Sequence, residues 1–424
     1  MTRRHLSALV LVVAFGLAGD LVDRVSAQSG GGEHWVTTWA TALVPRASQP
    51  SSASPTGQAA QPPPRFNNQT LRQIVRVSLG GEQVRVVLSN TFGTASLPVG
   101  AARVALRQGD AAIVPGSSRL LTFGGCPAAA IPAGAVAVSD PVSLSLPAFA
   151  DLVIDVHLTG DSAATSSPLT SHANALQTNY LSGPGDHAGA SDLPGASPLT
   201  AWFFLARVEV MAPARVGAVA LLGDSITDGS RSTPDTNNRW PDHLARALAA
   251  AGTPMGVVNL GIGGNRLLAD GNSPSALARF DRDVLVPPGV THLVVMEGIN
   301  DLGRGTTADD VIAAHKQILE RARARGLTVI GATITPVEDT TFEGYFTPAH
   351  EAARQAVNSW IRTSGAYDAV IDFDAVVRDQ ARPARLRQDY ASSDFIHPND
   401  AGYRAMGNAV NPAYFRPRQT VGSR

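Results

Sequence analysis

The apolar period of this chain changes once, at Pro213-Ala214-Arg215, and that change dictates two different architectures in succession. Before it the period is two. Val75, Val77 and Leu79 alternate with Arg76 and Ser78; Val84, Val86 and Leu88 alternate with Arg85 and Val87; Leu152, Ile154, Val156 and Leu158 alternate with Val153, Asp155 and His157. Successive side chains on a strand point to opposite faces, so each run predicts a strand with one face in a core. Residues 202–210 predict another, and Gly80-Gly81, between the first two runs, suits a tight hairpin turn. Helical periodicity is nearly absent, so residues 28–212 are expected to form an antiparallel β-sandwich. Within it, the Pro-, Ser-, Gln- and Ala-rich stretch 45–64 cannot bury enough apolar surface to offset ordering entropy and reads as a long exposed loop.

After the change the apolar runs become continuous. Residues 216–222, 256–260, 292–296, 327–334 and 369–373 read as strands buried on both faces, and helical segments at 240–251, 308–325, 348–363 and 401–410 separate them. Strands alternating with helices predict an α/β unit over 213–415, a parallel sheet with helices on both faces, followed by a short tail, 416–424. A chain of 424 residues is long for one compact core, which agrees with two domains.

The start of the chain reads as an export signal. Arg3 and Arg4 supply the positive end, residues 6–17 a short apolar run, and Val25-Ser26-Ala27 the small residues of a cleavage site, giving a signal peptide over 1–27. The run is short for a membrane span, although an uncleaved anchor is the alternative. The mature protein is expected to be secreted or periplasmic, from a bacterium, with no stable membrane insertion. The single cysteine, Cys126, excludes an internal disulfide and a thiolate-built metal site, which fits a bacterial exported protein. The sequon Asn68-Gln69-Thr70 is then expected to be unmodified. A net charge of -1 with no block of like charge excludes the footprint of a nucleic-acid partner.

In open parallel sheets ligands bind beyond the carboxyl ends of the strands, and four polar segments fall at such places or before the last helix. Gly223-Asp224-Ser225-Ile226 follows the first buried strand; a serine there exposes its hydroxyl near helix N-terminal amides, or simply caps the helix. Gly261-Ile262-Gly263-Gly264-Asn265 follows the second, where glycines bare a backbone amide or merely turn the chain. Gly298-Ile299-Asn300-Asp301 follows the third; the Asn300 amide can meet a developing oxyanion or make an Asx turn. Asp394-Phe395-Ile396-His397 precedes the last helix. There one turn can supply a general base, His397, and its orienting carboxylate, Asp394, or a surface pair capping the helix. Together they suit a serine nucleophile.

In order and interval these segments resemble the four blocks of the SGNH (GDSL-type) serine hydrolase superfamily, across about residues 215–410. Ser225 matches the first block, Gly264 (or Gly263) the second, Asn300 the third and His397 the fourth; Gly-Asp-Ser-Ile stands where the motif reads Gly-Asp-Ser-Leu. The resemblance implies a flavodoxin-like three-layer α/β/α domain. It implies ester hydrolysis through an acyl-enzyme, with a Ser225–His397–Asp394 triad. The oxyanion donors would be the amides of Ser225 and Gly264 and the Asn300 side chain, and no metal or organic cofactor is implied. The front half is similar to the β-rich domain preceding this domain in some secreted bacterial members, with its Trp-Val-Thr-Thr-Trp opening.

Trp240, at the start of a helix, is a candidate pocket wall or a core residue; Arg266 is a candidate contact to an anionic or hydroxylated group or a solvated arginine. Phe342 and Tyr345, in segment 336–348 after the fourth strand, are expected to overhang the site as a lid or rim. Asp224, Asp228 and Asp301 are read as holding loops. The expected substrate is a short-acyl ester, such as an acetyl ester of a polysaccharide or a small molecule, with the sandwich helping to position it. Lipase-type acylhydrolysis, acyl transfer, or an inert fold that binds carbohydrate are the alternatives.

Overall fold

A computed structural model describes residues 32–46, 65–162, 168–271 and 273–416. The expected signal peptide, most of the 45–64 loop and the tail from 417 onward lie outside the described residues.

The front half builds two large antiparallel sheets and a small three-stranded one over Val44–Arg46, Leu169–His172 and Trp202–Phe203. In one large sheet, β1 (Glu33–Ala40) pairs with β6 (Leu205–Pro213), which pairs with β3 (Gly81–Ser89). In the other, β5 (Asp151–Asp161) lies between β2 (Asn67–Arg76) and β4 (Leu97–Gly109). The alternation places its residues as strand geometry requires. Leu152, Ile154, Val156 and Leu158 share one buried cluster with Val84, Val86, Leu88, Val208 and Val210 of the facing sheet. On the other face of β5, Val153 joins a small satellite cluster and Asp155 makes a buried ion pair with Arg72.

The expected hairpin at Gly80-Gly81 is not one. β2 and β3 lie in different sheets, and the chain crosses between them at the glycines. The alternation is the same for a hairpin and for a sandwich corner, because both runs face one core. Gly80 is needed for close approach, since a Cβ would stand 2.2 Å from the Leu146 carbonyl oxygen.

The back half is a five-stranded parallel sheet. In chain order its strands are β7 (Ala218–Gly223), β8 (Gly256–Gly261), β9 (Val290–Met296), β10 (Thr328–Ala332) and β11 (Ala369–Ile371), and across the sheet they run β8-β7-β9-β10-β11. That is the flavodoxin-like order, whose direction reverses between the first and third strands. Ala218, Ala220 and Leu222 face one helical layer, with α5 (Ala308–Arg323) and α6 (Pro348–Thr363). Val219 and Leu221 face the other, with α2 (Trp240–Ala250) and α7 (Asp400–Ala409). Both faces of each strand are thus apolar. No helix among the described residues is long and apolar enough to cross a membrane.

The two halves meet in one core. Val36 and Trp39 of β1 belong to the same buried cluster as Ala220 and Leu222 of β7 and Val258 and Leu260 of β8. β8 is an edge strand, and the front half covers it: the Val257 amide donates to Ser78 Oγ at 2.8 Å.

Candidate active site

The loops after β7 and β9 open at the reversal of strand order, and they carry Ser225 and Asn300. Ser225 is the first residue of α1 (Ser225–Asp228), and the cap of that helix is Asp224, whose side chain accepts from the Ile226 amide at 2.8 Å. The serine hydroxyl is therefore not used for capping. It lies 2.8 Å from His397 Nε2.

His397 is held by a tight turn. Phe395 takes a positive φ of 52°, and the Ser392 amide donates to the His397 carbonyl at 2.9 Å. Asp394 Oδ1 accepts from the His397 amide at 3.0 Å and from the Ser392 hydroxyl at 2.7 Å, while Oδ2 sits 2.9 Å from His397 Nδ1. The cap of α7 is Asn399, so the Asp–His pair does not serve as one. Burial works against charge on Asp394, but the hydrogen bonds and charge of His397 outweigh it and hold the carboxyl well below its usual range. An ionised Asp394 accepts only, so Nδ1 carries the ring proton and Nε2 turns a lone pair to the Ser225 hydroxyl.

Asn300 is buried in α4 (Ile299–Leu302), which starts after Gly298 at φ 119°. Its side chain makes no Asx turn. Nδ2 donates across to the Asn265 carbonyl at 2.9 Å, and Oδ1 accepts from the Tyr345 hydroxyl at 3.0 Å. Gly264 has a φ of 71°, with open space where a Cβ would be, so the turn conformation and not crowding favours glycine there. The amides of Ser225 and Gly264 carry no hydrogen bond to any described residue.

The three flanking aspartates hold loops. Asp224 caps α1, Asp301 accepts from the Leu267 and Leu268 amides, and Asp228 pairs with His172 of the front half at 3.0 Å. Burial pushes Asp224 up to about 7, with help from Asp301 and Asp228 and against the Ile226 amide and His397. Phe342, from the 336–348 segment, packs edge-on against the His397 ring, with 6.0 Å between ring centroids. Arg266 is half-buried and donates to the Asp270 carbonyl. Trp240 does not line the site. Its side chain is fully buried against Phe373, 5.2 Å between ring centroids, because a helix-start tryptophan on the core face supplies the layer beside the sheet.

Several residues around the site escape sequence reasoning. Arg231, with a positive φ of 72°, donates to Asp394 Oδ2 at 2.9 Å. Arg279, fully buried, donates to the carbonyls of Gly223 and Leu260 and through two nitrogens to Asn265 Oδ1. Glu297 lies 3.6 Å from it; burial first, then Asp224, push that carboxyl well above its usual range. A positive φ at a non-glycine residue cannot be read from sequence, and one arginine among many carries no motif.

Residues 221–405 match the model of the GDSL-like Lipase/Acylhydrolase family. No curated protein matches the chain. Among solved structures, a GDSL-like lipase from Bacteroides thetaiotaomicron is 20% identical over 46% of this chain and 87% of its own, with a TM-score of 0.36. A carbohydrate acetylesterase family member from Sinorhizobium meliloti is 20% identical over 47% and 97%, with a TM-score of 0.37. An acetylxylan esterase from Geobacillus stearothermophilus is 21% identical over 46% and 94%, with a TM-score of 0.34.

Proposed function

We propose, from the match of residues 221–405 to the GDSL-like Lipase/Acylhydrolase family, that the protein is a serine ester hydrolase acting on short-acyl esters through an acyl-enzyme at Ser225. One observation carries this reading: Ser225 Oγ stands 2.8 Å from an imidazole whose other nitrogen faces an ionised carboxylate at 2.9 Å. His397 Nε2 takes the hydroxyl proton as Oγ attacks the ester carbonyl carbon. The carbonyl electron pair moves onto oxygen, beside the free amides of Ser225 and Gly264 and the Asn300 side chain. Collapse expels the alcohol, which takes the proton from Nε2, and water repeats the sequence to release the acid. Asp394 keeps the tautomer and supports the imidazolium.

Short acyl groups are supported by the aromatic side chains that stand beside the catalytic groups, Phe342 against the His397 ring and the Tyr345 hydroxyl on Asn300 Oδ1. A polysaccharide acetyl ester as the natural substrate is supported by the export-type leader in residues 1–27, which also supports secretion. Replacing Ser225 by alanine is expected to abolish hydrolysis of p-nitrophenyl acetate while the thermal melt stays near that of the parent. Retained turnover would remove the mechanism. A p-nitrophenyl chain-length series beside acetylated xylan and pectin tests the acyl and polymer preferences; a maximum at long chains would overturn the short-acyl reading.

A further inference from the structure

One loop touches both ends of the proposed machinery. From segment 336–348, Phe342 meets the His397 ring and the Tyr345 hydroxyl meets Asn300 Oδ1 at 3.0 Å. Tyr345 is itself held in place. Its ring lies over Gly303, where a Cβ would come within 2.6 Å of it. Arg304 donates to its oxygen at 3.0 Å and lies over the ring at 5.7 Å.

Valence settles the direction of each bond. The Asn265 carbonyl can only accept, so the Asn300 atom facing it is Nδ2 and the atom facing Tyr345 is Oδ1. A guanidinium has no lone pair to accept with, so the phenol oxygen accepts from Arg304 and sends its own proton to Asn300 Oδ1. Burial pushes the Tyr345 hydroxyl up despite the Arg304 charge, which keeps that proton in place. Nδ2 carries two hydrogens. One goes to Asn265, and the other is left for substrate.

We propose that Tyr345 is a positioning residue of the oxyanion hole, the middle member of a relay from Arg304 through Tyr345 to Asn300 that orients and polarises the Asn300 amide. The proposal rests on the reading of Ser225 as nucleophile and Asn300 as oxyanion donor. Hydrogen bonds in a chain polarise one another. Drawing electron density toward Oδ1 makes the remaining N–H a stronger donor, and the gain is largest where the acceptor becomes an anion. The relay therefore acts on the transition state more than on bound substrate. It also ties segment 336–348 to the chemistry, because the segment that meets the His397 ring also reaches the Asn300 amide.

Tyr345→Phe keeps the ring over Gly303 and removes only the hydroxyl. On p-nitrophenyl acetate it is expected to lower kcat about 3- to 10-fold with KM unchanged. Arg304→Gln, on an exposed side chain, is expected to lower kcat by less, and the double variant to be no worse than Tyr345→Phe alone. In an Asn300→Ala background Tyr345→Phe is expected to have no further effect. Unchanged kcat, an effect confined to KM, or a full additional loss in the Asn300→Ala background would each overturn the relay. Turnover surviving Ser225→Ala would instead strike the underlying reading, which keeps the two failures distinct.

Discussion

Asp224 holds an uncomfortable charge beside the nucleophile. Its carboxyl is buried, its Oδ1 caps α1, and burial raises it from 3.8 to about 7. Between those values the native protein keeps a proton that the unfolded chain has lost. The folded form is therefore favoured fully below the ordinary aspartate range, and that advantage is lost as pH rises toward about 7. A shift of this size corresponds to roughly 4 kcal/mol at most. Asparagine keeps the Oδ1 acceptor for Ile226 and cannot ionise. Asp224→Asn is thus expected to gain stability relative to the parent between pH 4 and pH 8, measured by thermal melts at pH 4, 6 and 8. Parallel pH curves for the two proteins would sink the assignment. The place of Asp224 beside the serine is legible in sequence, but its proton is not, because burial comes from parts of the chain far away. The same contrast separates Asp394 from Arg231. Asp394 lies three positions from His397 and is visible as a pair, whereas Arg231 reaches the same carboxylate across 163 positions.

The short helix α3 (Ala276–Phe280) runs into a π-helical turn over Asp281–Leu285 and delivers Arg279 beneath the site. There the guanidinium gathers the ends of β7 and β8 and the side chain of Asn265, whose carbonyl receives Asn300. It also faces Asp283 and Glu297, both buried. Arg279→Met would leave Asn265 Oδ1 without its donor and Glu297 without its neighbouring cation, while Arg282 still pairs with Asp283 and the Ile262 amide still donates to Gly223, a loss expected to cost about 3 kcal/mol. Arg279→Lys restores charge without the planar fork and is expected to recover part of it. Denaturant midpoints of the three proteins measure both effects; a Met variant as stable as the parent would show the clamp to be idle. Five helical residues followed by a π turn are too few to show a 3.6-residue period, and no element is predicted there. The long elements do show it. The helix expected at 348–363 is found over Pro348–Thr363, and that expected at 308–325 ends two residues earlier. At Gly80-Gly81 the reverse holds: period and turn chemistry agree on a chain reversal, and only the partner strands tell a corner from a hairpin.

Across the whole molecule, the change of period at 213 marks a change of architecture but not a break in the core. β1 lies so close to β8 that a Cβ on Gly256 would stand 2.0 Å from the Thr37 carbonyl oxygen. Polar contacts cross the same seam: Thr37 N to the Pro288 carbonyl at 3.0 Å, His172 to Asp228 at 3.0 Å, and Arg239 to the Ala175 carbonyl. The His172 pair matters most for the site, since Asp228 ends the helix that Ser225 begins. Burial disfavours charge on His172, yet Asp228 overcomes it and raises the imidazole. The front half therefore seals an unpaired sheet edge and steadies the nucleophile helix, whatever part it takes in binding substrate. From this it follows that residues 213–424, expressed alone, should not form a stable enzyme. Cutting the chain there uncovers Leu260 and Val258 on one side and Val36 and Trp39 on the other, and strips Val257 of its acceptor. Size-exclusion chromatography is expected to show aggregate, and calorimetry no cooperative transition, with solubility and turnover of p-nitrophenyl acetate returning on co-expression with residues 1–212. A monodisperse fragment that melts cooperatively and matches the parent's turnover would mean that the shared core is dispensable, and that the front half serves substrate instead of fold.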